Sequence, residues 1–104
     1  MDETFSALAE KRGVDAVLHL SGLIDSMAEP ALQAAYEEAE RLSPQTVTLD
    51  FSNVTYMNST GIALIVSLLA QARAAQLPLV ASGLSDHYRE IFTMTRLSDF
   101  IEIR

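Results

Sequence analysis

Residues 46–51 read Thr-Val-Thr-Leu-Asp-Phe, a strict alternation that sends Val47, Leu49 and Phe51 to one side and Thr46, Thr48 and Asp50 to the other. A strand buried on both faces reads as a continuous apolar run, so this one borders a core on one side only. Ile101 and Ile103 alternate with Glu102 and Arg104 in the same way near the end of the chain. Strands of this kind belong to a sheet with helices chiefly on one face and a wetter second face.

The remaining elements are read in order. Residues 4–11 form a first strand, and the turn at Arg12-Gly13 returns the chain into a second over 14–21, an antiparallel hairpin. Ser26 opens a helix that carries Pro30 near its first turn and runs to about Leu42, with Ala31, Leu32, Ala35, Tyr36, Ala39 and Leu42 in helical repeat. Ser43-Pro44 stops it ahead of the 46–51 strand. A second helix spans about 59–76. A strand over 77–82 follows, with Pro78 near its start where a missing donor does least harm. Ser85 caps a third helix whose buried side is Tyr88, Ile91 and Phe92, and residues 100–103 make the last strand. Met57 and Met94 are expected to fill the core. The prediction is one α/β domain over 1–104 in the order β-β-α-β-α-β-α-β, with a mixed, mostly parallel sheet. Right-handed crossovers between neighbouring strands put all the helices on the same side.

Composition removes several function classes. The 14 acidic residues outnumber the 7 basic ones, for a formal net charge of −7, and no Lys/Arg cluster is present to neutralise phosphates, which argues against nucleic-acid binding. There is no cysteine for a disulfide, a thiol nucleophile or a thiolate metal site. His19, in a strand, and His87, in the first turn of a helix, are too far apart in sequence to suggest a metal site. The apolar run 62–70 is far below the roughly 20 residues of a membrane span, and the acidic Met1-Asp2-Glu3 start is unlike a signal peptide, so a cytoplasmic protein without membrane insertion is expected. No catalytic constellation emerges: nothing local orients an imidazole towards a serine, and Gly61 stands alone without the lysine of a phosphate loop. We therefore expect no enzyme, no cofactor and no metal.

The segment Asp50-Phe51-Ser52-Asn53-Val54-Thr55-Tyr56-Met57-Asn58-Ser59-Thr60-Gly61-Ile62 runs a strand through a polar turn into an apolar helix. The first N–H groups of a helix lack internal partners and, with the helix dipole, favour an acceptor or an anion. Asn58, Ser59 and Thr60 can simply cap such an end, while a phosphate on Ser59 would be tolerated there. Along the helix, Ile62, Ile65, Val66, Leu69 and Ala72 share a face assigned to the core, with the Arg73 stem lying along it. Leu64 and Leu68, one turn apart, fall towards the other side as surface leucines or a docking patch.

This segment resembles the signature of the STAS domain, named for sulfate transporters and anti-sigma factor antagonists. In that family a strand ending Asp-Phe/Leu-Ser-x-Val precedes Asp-Ser-Ser/Thr-Gly-Leu/Ile. Ser21-Gly22-Leu23-Ile24-Asp25 is similar to the family's Gly-x-x-Asp turn, and Ser82-Gly83-Leu84-Ser85 to the turn before its third helix. The resemblance implies that Ser59 is a phosphoacceptor, with Asp25, Asn58, Thr60 and Gly61 around it and Thr60, Leu64 and Leu68 contacting the partner. It further implies a bacterial anti-sigma factor antagonist that binds a serine-kinase anti-sigma factor when Ser59 is unmodified, frees a sigma factor, and is reset by a serine phosphatase. Asn58 stands where many phosphorylated members carry Asp, which keeps open a non-phosphorylated subunit docking on a transporter or scaffold, as in lipid-transport members. Thr95-Arg96-Leu97 replaces the family's frequent Thr-Gly-Leu, a change expected to touch only a helix end, where a cation is favourable.

Overall fold

In a computed structural model of the chain, which describes residues 4–104, β1 (Ser6–Arg12) and β2 (Asp15–Ile24) form the expected hairpin. A 3-10 turn (Ser26–Ala28) leads into α1 (Glu29–Arg41), followed by β3 (Val47–Met57), α2 (Ser59–Ala74), β4 (Leu79–Ser82), α3 (Asp86–Met94), a 3-10 turn (Leu97–Asp99) and β5 (Glu102–Ile103). The sheet order is β1-β2-β3-β4-β5, antiparallel at the first pair and parallel at the other three. Each parallel step joins neighbours through one helix in the same direction, so crossovers of one hand stack the helices on one face.

That face carries the core. Ala16, Leu18 and Leu20 of β2 lie beside Val47, Leu49 and Phe51 of β3 and Leu79 and Ala81 of β4, all buried. From α1 they receive Leu32, Ala35, Tyr36 and Ala39, one helical stripe that is buried throughout. Phe92 of α3 meets Phe51 edge-on, ring centroids 5.9 Å apart. A reciprocal amide pair ties the first two helices together: Gln33 and Gln71 each donate to the other at 2.8 Å.

Three differences from the expected elements have physical causes. β3 continues to Met57 where a polar turn was expected, because register shifts against β2, between His19 and Ser21 and between Gly22 and Leu23, change the inward phase. Beyond Phe51 the inward positions become Val54 and Met57, a spacing of three that hides the strand from an alternation test. Met57 is buried as expected, but Met94 is 73% exposed at the end of α3 and fills no core. Finally, all three helices end on a non-glycine residue in the left-handed region: Ser43 (φ 52), Gln76 (φ 56) and Arg96 (φ 67). Arg96 therefore takes the conformation for which glycine is the usual residue, so the change at that position alters backbone strain as well as charge.

Candidate functional site

The site is built where β2 and β3 leave the sheet together. Their register brings Ile24 opposite Met57, so Asp25 and Asn58 depart side by side, each into a turn of helix. Asp25 caps the 3-10 turn, its carboxylate accepting from Met27 N–H at 2.9 Å. Asn58 caps α2: its Oδ1 accepts from Gly61 N–H at 2.8 Å, the usual bond from cap to third helical residue. Asn58 N–H in turn donates to Ile24 C=O at 3.3 Å.

At Gly61 the first turn of α2 passes close against the end of β2. A Cβ built there would lie 1.9 Å from Ile24 O, which no side chain survives. The glycine thus lets the first turn of α2 sit directly on the last residue of β2, and it also sets the rotation of the helix about its axis. Because Asn58 supplies the cap, Ser59 occupies the first helical position with an exposed side chain, and its hydroxyl makes no hydrogen bond to any described residue. Thr60 is likewise exposed.

A residue the sequence reading assigned only to the core of α3 holds this corner in place. The Tyr88 hydroxyl accepts from Met57 N–H at 2.8 Å and donates to Met57 C=O at 3.3 Å, pinning the last residue of β3 one step before the cap. A tyrosine on the buried side of a helix that ends near a strand terminus was the available signal, since a buried phenol seeks a partner.

The expected docking pair separates. Leu68 is 1% exposed and packs in the core, so it cannot meet a partner; Leu64 is half-buried against the same core. The inward stripe of α2 is Gly61, Ile65, Leu68, Leu69 and Ala72. Val66, placed in the core by its spacing, is instead 44% exposed, and Ile62 is half-buried. The helix is apolar almost all round, so periodicity could not select its inner face; the close approach at Gly61 does. Large apolar side chains missed by the sequence reading surround the corner instead: Met27 is 83% exposed just after Asp25, and Tyr56 is exposed just before Asn58.

Neither imidazole reaches Ser59. His87 lies edge-on to Tyr88, ring centroids 5.0 Å apart, on the exposed side of α3. His19 sits on the helix-free face of the sheet, with Nε2 2.8 Å from Glu10 Oε1 and Nδ1 3.4 Å from Asp50 Oδ2. Hydrogen bonds from His19 and then Arg12 hold the Glu10 carboxyl below its ordinary value. Burial pushes the Asp50 carboxyl up, but hydrogen bonds from the Ser52 hydroxyl and backbone N–H, joined by His19, outweigh it and hold that carboxyl low too. Among the described residues no cluster of His, Asp and Glu has the arrangement of a metal site, and no helix is long and apolar enough to cross a membrane.

The sequence model of the family described as "Mlab, STAS domain" matches residues 7–102. The anti-sigma-B factor antagonist of Listeria monocytogenes is 34% identical over 87 residues, which cover 84% of this chain and 76% of that protein. Among solved structures, an anti-sigma factor antagonist from Mycobacterium paratuberculosis superposes with a TM-score of 0.79 at 20% identity, over 99% of this chain and 87% of the other. The phosphorylated form of the Bacillus cell fate determinant SpoIIAA gives 0.70 at 19% identity, over 97% and 91%. At those identities the two structures speak for the fold.

Proposed function

The chain belongs to the STAS domain family and over 84% of its length is similar to an anti-sigma-B factor antagonist, and from that premise we propose that it is a phospho-switched binding module for a serine-kinase anti-sigma factor. The observation that carries this reading is the unused, exposed hydroxyl of Ser59 at the first position of α2, beside a cap that another residue supplies.

The unmodified corner offers a neutral surface of Ser59, Thr60 and the outer part of Leu64, flanked by exposed Met27 and Tyr56. An anti-sigma factor seated there releases its sigma factor. In the reverse step the Ser59 oxygen attacks the γ-phosphorus of ATP held by that kinase. A new P–O bond forms, ADP leaves, and the hydroxyl proton passes to a base. The phosphate adds about −1.5 to −2 charges in the middle of the contact zone. The helix N-terminus stabilises that charge within the chain by roughly 0.3–1 kcal/mol, so the fold survives while the interface does not. Asp25, leaving the sheet beside Asn58, adds to the repulsion. A serine phosphatase restores the hydroxyl.

The test is incubation with candidate kinase anti-sigma factors and ATP, followed by intact mass. One added phosphate that maps to Ser59 and disappears in Ser59→Ala is expected. Ser59→Asp should bind the anti-sigma factor more weakly than the unmodified chain; equal affinity would refute the charge mechanism. Asn58, where many phosphorylated members of the family carry Asp, favours a second reading: a subunit that docks on a transporter or scaffold through the same corner without modification. No phosphorylation by any cognate kinase, with retained binding to such a scaffold, would select it.

A further inference from the structure

Along the outer side of α2 runs an apolar groove that meets the proposed switch only at Ser59. Its floor is Ile62, Val66, Leu69 and Ala70 of α2 with Leu97 and Phe100 across from them, and its volume is about 540 Å³, within the range of small-ligand sites. Ser59 stands at one end and Arg73 at the other, roughly 21 Å apart at the helical rise of about 1.5 Å per residue. The groove is therefore long as well as apolar.

Its charge runs against that of the molecule. Acidic residues outnumber basic ones 14 to 7 in the chain, yet among the described residues no Asp or Glu lines the groove, while two arginines do. Arg96 is held to Asp99, Nε to Oδ2 3.0 Å. The Arg73 guanidinium lies 4.8 Å above the Phe100 ring and has no carboxylate partner among the described residues. Stacked this way, it is pre-oriented at one end of the open groove with its hydrogen-bonding edge unspent.

We infer that this groove binds a single-chain anionic amphiphile, a free medium- to long-chain monocarboxylic acid, with the carboxylate on Arg73 and the chain lying along α2 towards Ser59. A cation with no carboxylate partner among the described residues, at one end of an apolar floor, matches a ligand with one charge and one tail. Each methylene that leaves water then tightens binding by about fourfold until the floor is filled.

The test uses the whole chain without any partner, so its outcome is independent of the switch. Monomeric dodecanoate, octanoate and dodecanol are titrated by calorimetry and by amide and methyl NMR. Dodecanoate is expected to shift Ile62, Val66, Leu97 and Phe100 resonances and to bind far more tightly than octanoate. Dodecanol should bind about tenfold more weakly than dodecanoate. Arg73→Gln should lower dodecanoate affinity about tenfold and leave dodecanol unchanged, whereas Val66→Trp, at an exposed position, should block both. Absence of dodecanoate binding, equal affinity for acid and alcohol, or recruitment only to vesicles of anionic phospholipid would each overturn the inference.

Discussion

Helices α2 and α3 begin in the same way, yet their serines end up in opposite states. At α3 the serine is the cap: Ser85 Oγ accepts from Tyr88 N–H at 3.3 Å, and its hydroxyl is committed to the fold. At α2 the cap is Asn58 and the serine stands one position later, so the Ser59 hydroxyl bonds to no described residue at the helix end. A shift of one residue separates a structural serine from an available one. The second contrast is in the backbone, because only α2 is pressed against a neighbouring strand through a glycine at its third position.

The largest test of that contrast is Gly61→Ala. With Ile24 O 1.9 Å from the added carbon, the helix must lift off β2, and we expect a loss of at least about 3 kcal/mol in urea denaturation, or no folded protein. Stability near that of the natural chain would break the assignment of this contact. Next is Tyr88→Phe, which leaves Met57 N–H without its partner and should cost about 1–2 kcal/mol. If Tyr88 positions the corner, the same variant also weakens partner binding, whereas Phe92→Leu lowers stability without doing so.

Ser85→Ala and Ser59→Ala compare the serines directly. Losing the α3 cap should cost about 1 kcal/mol, while Ser59→Ala should stay within about 0.5 kcal/mol of the natural chain and yet abolish phosphate incorporation. Equal costs would mean that Ser59 also works as a cap. The smallest effect lies away from both helices, at Glu10, His19 and Asp50. Both carboxyls are held below their unfolded values, so the folded state binds fewer protons than the unfolded one in acid. Their contribution is complete above the ordinary carboxylate range near about 4 and is lost as pH falls through the lower folded values. His19→Ala should make that acid fall in the urea midpoint shallower, with no change in Ser59 modification.

Much of the architecture was legible in the chain. Alternation at Val47, Leu49 and Phe51 disclosed a sheet with one wet face, while Ser43-Pro44 marked the end of the first helix and Ser85 the start of the third. The stretch after Phe51 was not legible, because two register shifts replace the period of two by a spacing of three, and a bulge leaves no mark in hydrophobic pattern. In the site, the local chemistry of Asn58, Ser59 and Gly61 pointed to a helix start with a hydroxyl, but nothing in residue type tells which of three capping residues takes the bond.

Residue types and their spacing determined the order of elements, the one-sided sheet and the presence of a serine at the mouth of α2. Tertiary contact alone decided which way that helix faces. Its residues are apolar on nearly every side, so burial of Val66 or of Leu68 would satisfy the hydrophobic effect about equally. The steric demand of β2 against Gly61 breaks the tie, turning Leu68 inward and leaving Val66 to the groove.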